Sequence, residues 1–258
     1  KDPVGRNRKV LEIFVENGAP KDILIEAKPH IGTDILRSVV KNMRNEIIRM
    51  GGDVFFNHTL TDIKFDNNNN KIKSVTVNGN EYPCEVLVLA IGHSARDTFQ
   101  MLLEKGVSMQ AKSFSVGVRI EHLQSEIDKS MYGSFAGSKK LPPASYQLWN
   151  KSENRCCYSF CMCPGGSVVA SASEEETVVT NGMSLHSRNM QNANSALVVD
   201  VHPEDFDGIL GGMHFQRELE RKAFVFGGKN YYAPSQSVGG FVYGENTKSI
   251  EPSYKPGT

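Results

Sequence analysis

The chain has 258 residues, 39% of them hydrophobic and 22% charged, and its formal charges cancel. That length suits one large or two modest domains with a real core. Neutrality removes the electrostatic case for nucleic acid or an acidic membrane surface, and no apolar run reaches the ~18 residues that read as a membrane span.

Residues 1–32 show an apolar stretch, Leu11 to Val15, broken by Gly18-Ala19-Pro20. A helix follows. Thr33 or Asp34 can cap it, Ile35, Leu36, Val39, Val40, Met43, Ile47 and Ile48 recur at helical spacing, and Gly51-Gly52 supplies a left-handed stop. Short strand signals come next: Val54-Phe55-Phe56, Leu60 to Phe65, and Ile72 to Val77 beyond the turn expected at Asn67–Asn70. Asn78-Gly79 is a strong two-residue hairpin signal. Val86 to Ala90 is a continuous apolar run, the pattern of a strand covered on both faces. It enters Gly92 and then a helix that Ser94 or Asp97 can cap and Gly106 ends.

After Gly106 the texture becomes strand-rich. Phe114 to Ile120 has Gly117 inside it, a sign of a bulge or close backbone approach. Tyr146 to Trp149, Cys157 to Met162, Val168 to Ala170 and Ala196 to Val201 are further strand candidates, and Gly212 to Phe224 has helical spacing. This divides the chain into residues 1–112, reading helix, meander, buried strand, helix, and residues 113–258, mainly antiparallel with one or two helices. The fold class expected is α/β plus α+β.

Five cysteines are present, and four of them crowd between Cys156 and Cys163. An odd, bunched set is not a disulfide framework, so the compartment reads as reducing and cytoplasmic. The start, Lys1-Asp2-Pro3, has no signal-peptide pattern. The spacing C-C-x3-C-x-C lacks the paired C-x2–4-C units of a structural zinc site, so no metal is expected. On a strand, Cys157, Ser159, Cys161 and Cys163 share one face. They read either as small packing residues or, for Cys161 and Cys163, as groups facing a flavin or substrate. Pro164-Gly165-Gly166 then offers turn amides to a ligand. Arg119 and Glu121 share a strand face, fit to grip a polar substrate or simply to form an exposed ion pair. His30 precedes a helix start, where it either approaches an anion or sits beside a cap.

Val86 to Ser94 is the clearest cofactor hint, because a strand entering a glycine turn lets backbone approach a dinucleotide. Yet the chain has no G-x-G-x-x-G pyrophosphate loop. Triad, H-E-x-x-H and P-loop patterns are absent too. Pro29 to Asp34, Gly92 to Thr98, Gly117 to His122, Tyr158 to Gly166 and Thr180 to Ser184 together resemble one family, the bacterial FAD-dependent dehydrogenases often labelled NAD/FAD-utilising dehydrogenases. The resemblance covers nearly the whole chain.

Members of that family are longer at both ends, so the resemblance implies an internal fragment. It would comprise a partial Rossmann-like, glutathione-reductase-type FAD domain over 1–112 and an inserted, antiparallel-sheet-rich substrate domain over 113–258. It implies FAD in the full-length protein, weak or absent binding in this fragment, and NAD(P)H as an electron donor. It places Thr59 and Leu60 against the adenine through their backbone, and Ala90, Ile91, Gly92, His93 and Ser94 beside the cofactor. Cys161, Cys163 and Arg119 are the catalytic candidates. The implied function is hydride transfer between a small-molecule substrate and flavin. The alternatives are a binding module without turnover and an RNA-modifying flavoprotein, the latter disfavoured by neutral charge.

Overall fold

In the computed structural model, residues 5–66, 71–152 and 154–246 are described. The expected asparagine turn at 67–70 lies outside them. Contacts divide the chain into two compact units: Lys1–Val54 with Ser115–Asp200 and Glu220–Thr258, and Phe55–Phe114 with Val201–Leu219. This grouping differs from a single cut at 112. The reason is long-range bonding between residues about 30–34 and 184–186, described below, which local sequence pattern cannot show.

The first described element of the first unit is α1 (Arg6–Glu16), an amphipathic helix that contains the apolar stretch Leu11 to Val15. It packs against α2 (Thr33–Arg49) through Ala19, Ile23 and Val39, flanked by Leu11, Phe14, Ile35 and Met43. Gly51 (φ +90°) ends α2, and the Gly52 amide returns to the Ile47 carbonyl at 3.0 Å. The N-cap of α2 is Gly32, with no side-chain cap. Neither Thr33 nor Asp34 serves that role, because both reach elsewhere in the unit.

Further along come β4 (Phe114–Leu123), α4 (Gln124–Tyr132), β5 (Trp149–Ser152), β6 (Arg155–Cys163), β7 (Gly166–Ser171), β8 (Val179–Ser184) and β9 (Asn192–Val201). One sheet has the order β4-β9-β6-β5, and β7 and β8 form a separate antiparallel pair. Strand β6 runs antiparallel to both β5 and β9. Helix α5 (Gly211–Phe226) begins in the second unit and ends in the first, which also holds α6 (Val238–Tyr243).

The second unit is built on the meander β1 (Leu60–Phe65), β2 (Ile72–Val77) and β3 (Asn80–Pro83), all antiparallel. Asn78 and Gly79 both have positive φ (47° and 80°), as a two-residue hairpin turn requires. Helix α3 (Arg96–Glu104) is joined to β1 by an ion pair between Lys105 and Asp62 at 2.6 Å. Its N-cap is Ala95, without a side-chain cap, so Ser94 and Asp97 do not cap it. Phe114, Phe206 and Phe215 add an aromatic cluster with ring centroids 5.8 and 6.1 Å apart.

The strand expected at Tyr146 to Trp149 begins only at Trp149, as β5, and two further expected strands are not formed. Val54-Phe55-Phe56 is irregular, with Phe55 and Phe56 exposed. Val86 to Ala90 lies outside any strand, and Val86 and Val88 are 80% and 83% exposed. A run of this kind becomes a stable strand only when other strands pair with it and its faces are covered. Among the described residues nothing does so.

Candidate functional site

The densest polar cluster lies in the first unit, where β4, β9 and β6 run side by side. Phe160 of β6 stands opposite Ala196 of β9, but Cys163 stands opposite Asn194, so the register breaks between them. Two β6 residues therefore face Ser195, which is a β-bulge. Cys161, inside the bulge, has φ +48°, a conformation that costs a side-chain-bearing residue roughly 1–2 kcal/mol. The kink turns the Cys161 carbonyl out of the ladder. Arg119 of β4 meets it there, with Nη1 donating to that oxygen at 3.4 Å and to Asn194 Oδ1 at 2.6 Å.

This arrangement needs a glycine opposite. A Cβ on Gly182 of β8 would lie 2.2 Å from both Arg119 Nη1 and Asn194 Oδ1. Asn194 is fully buried. Its Nδ2 and Arg119 Nε are enclosed, with no hydrogen-bond partner among the described residues. Two neighbouring side chains thus hold unengaged donors, an uncommon state in a folded interior.

Tyr146 and His122 adjoin the cluster. Tyr146 Oη and His122 Nε2 are 2.7 Å apart, their rings meet edge to face, and His122 Nδ1 is enclosed with no hydrogen-bond partner among the described residues. Burial pushes the Tyr146 phenol up, against a Ser195 hydroxyl contact and the Arg119 cation that pull it down. Burial also pushes the Cys163 thiol up to about 11, and the neighbouring Cys161 adds to the effect. Cys161 itself is exposed. Glu121 accepts from Asn192 Nδ2.

Of the sequence candidates, the structure brings Arg119, Cys161 and Cys163 together. Tyr146, Asn194 and Gly182 carry no local signal of a site, because their roles arise from contacts with His122 and Arg119, which are distant in the chain.

Pro164-Gly165-Gly166 is buried rather than presented to a ligand. The Gly165 amide donates to Gln124 Oε1 at 2.8 Å, and Ser184 Oγ donates to the Pro164 carbonyl at 2.9 Å. A Cβ on Gly165 would lie 1.8 Å from the Arg188 carbonyl oxygen.

The Pro29 to Asp34 motif also has its partners inside the protein. His30 Nε2 lies 3.0 Å from the Leu185 carbonyl and His186 Nδ1 lies 3.1 Å from the Ile31 carbonyl, with the two rings stacked. The His186 amide donates to Asp34 Oδ1 at 2.9 Å. That bond holds the Asp34 carboxyl below its ordinary value. Gly32 has φ +90°, and a Cβ there would fall 2.2 Å from the His186 amide nitrogen. The motif is a clamp between the start of α2 and the loop after β8.

The expected cofactor residues lie in the second unit. Gly92 has φ +68°, and a Cβ there would meet open space, while Ala90, His93 and Ser94 are exposed and Ile91 is half-buried. The backbone at Gly92 is therefore uncrowded. At Thr59, Asn78 engages both the amide and the carbonyl, at 3.0 and 3.1 Å. Leu60 of β1 stands opposite Val77 of β2, beside a register shift between Leu60 and Asp62.

Among the described residues no group of three or more His, Cys, Asp or Glu side chains is arranged to hold a metal ion. Among the same residues no helix is long and apolar enough to cross a membrane.

Comparison with known proteins brings two matches. The family model described as FAD-dependent protein, C-terminal domain-like, matches residues 113–258. A Clostridium beijerinckii protein described as uncharacterized is 52% identical over 255 residues, which is 96% of this chain and 48% of that protein. The chain spans about half the length of the curated relative it matches.

Proposed function

The chain belongs to the FAD-dependent protein, C-terminal domain-like family, and from that membership we propose that it is part of a flavin-dependent oxidoreductase acting on a small polar molecule. The observation that carries the substrate side is the pairing of Arg119 and Asn194, whose Nε and Nδ2 donors are enclosed and unengaged. A buried donor left unmade costs about 1–3 kcal/mol. A substrate with acceptor oxygens, such as a carboxylate, would relieve that cost and be oriented by it. Gly182 keeps the guanidinium and the amide in register. Tyr146 Oη, hydrogen-bonded to His122 Nε2, holds a proton beside them.

On this reading FAD lies along Ala90, Ile91, Gly92, His93 and Ser94, with Leu60 offering backbone to the adenine. When bound, the flavin supplies the hydride chemistry. NAD(P)H as the electron donor belongs to the same proposal.

The test uses the full-length protein. It should purify yellow or take up added FAD, and anaerobic NADH or NADPH should bleach the flavin band. Arg119→Ala should keep the flavin spectrum and lose oxidation of the flavin by acceptor substrates. A full-length preparation that stays colourless with excess FAD sinks the reading. So does an Arg119→Ala variant that turns over every substrate as the parent does.

A further inference from the structure

Strand β6 sets two thiols in unlike surroundings a residue apart. In a flat strand, residues two apart stand about 6.5 Å apart at Cα, near the outer limit of about 6.8 Å for a disulfide. Here the left-handed turn at Cys161 folds the chain between them, and Cys163 Sγ lies 3.3 Å from the Cys161 carbonyl oxygen. Cys161 is exposed and Cys163 is 8% exposed. Cys156 and Cys157 lie in the regular part of the same strand, paired with Lys151 and Asn150 of β5. Their side chains point to opposite faces.

We propose that Cys161 and Cys163 form a thiol–disulfide exchange site for low-molecular-weight disulfides, with Cys161 attacking and Cys163 resolving. The Cys161 thiolate attacks one sulfur of the small disulfide. That S–S bond breaks, and the first small thiolate leaves and takes up a proton. The Cys163 thiol then gives its proton to solvent and attacks the Cys161 sulfur. The mixed disulfide breaks, the second small thiol leaves, and a Cys161–Cys163 bond remains. Two protein thiols are oxidised by two electrons, and one small disulfide is reduced to two thiols.

The order follows from access. Cys163 is enclosed, and its thiol, pushed up to about 11, stays protonated until the mixed disulfide forms beside it; Cys161 faces solvent as an attacking thiol must. No flavin is required, so the site stands or falls apart from the oxidoreductase reading.

The experiment treats the full-length protein with glutathione disulfide, alkylates the remaining thiols, and maps the chymotryptic peptide that begins after Phe160. The expected result is a peptide lacking two hydrogens, with Cys161 and Cys163 both protected, and two glutathione thiols released per chain. Cys163→Ser should lose the internal bond and hold a stable mixed disulfide on Cys161. Cys161→Ser should leave Cys163 free to be alkylated. Three results in the unsubstituted protein would each overturn the proposal: no reaction at Cys161, a lasting mixed disulfide on Cys161 with Cys163 still alkylated, or an internal bond involving Cys156 or Cys157. Because these are read on the unsubstituted chain, the test survives a variant that fails to fold.

Discussion

The polar cluster around Arg119 and the apolar segment from Val86 to Ser94 are opposite cases. In the first, polar groups sit inside the protein with donors unengaged. In the second, valines stand in water although each would gain about 1.5–3 kcal/mol from full burial. Both are locally unfavourable. They differ in what holds them. The cluster is held by strand register and by glycines that leave no room. Among the described residues the segment has only local ties, from Cys84 Sγ to the Val86 carbonyl at 3.3 Å and from the Arg96 amide to the Ser94 carbonyl at 2.9 Å, and a Cβ at Gly92 would meet open space.

Substitutions can break or sharpen that comparison. The largest effect is expected at Gly165→Ala. Position 165 has φ +47°, and the new methyl would press on a backbone oxygen 1.8 Å away, so a loss above about 4 kcal/mol should appear in chemical denaturation. Gly182→Ala comes next. Its methyl forces apart Arg119 and Asn194, and overpacking of this kind costs about 1–3 kcal/mol. In the full-length protein it should also impair the same acceptor substrates as Arg119→Ala.

Val88→Thr discriminates the exposed segment. In this chain the side chain is already in solvent, so stability should move by less than about 0.5 kcal/mol. In the full-length protein, loss of an apolar contact should cost about 1 kcal/mol or more if the run is a covered strand there. Equal melting shifts in both would show that the segment stays exposed and would remove the case for a completed sheet.

The smallest effect is the acid response of the clamp at α2. The carboxyl of Asp34 is lowered by the His186 amide, so its contribution is present above the unfolded value of 3.8 and is lost as pH falls through the folded one. Melting temperature should therefore fall as pH drops below about 5, and Asp34→Asn should flatten that part of the curve. An unchanged profile would show that the bond adds no stability.

Local pattern was legible where one short-range rule acts. The 3.6 period of Ile35 to Ile48, the hairpin at Asn78-Gly79, and strands near 60–65 and 72–77 could be read because propensity and turn chemistry decide them. Helices α1, α4 and α6 are not legible in local pattern: the apolar residues of α1 crowd into Val10 to Val15, α4 begins at a buried Gln124 whose partners are Ala144, Asp128 and Gly165, and α6 is only six residues long. The run Val86 to Ala90 has strand composition, but composition cannot supply the strands that must pair with it.

What the sequence by itself determined is the local grammar: where helices repeat, where glycine turns the chain, and which family its motifs resemble. The tertiary structure alone decided that Arg119 meets Asn194 and the Cys161 carbonyl, that Gly182 must lack a side chain, and that Pro29 to Asp34 is a clamp rather than a ligand site. These depend on contacts between residues as many as 155 positions apart. A pair so distant in the chain leaves no trace in any local window, because register and bulge geometry, not residue type, bring it together.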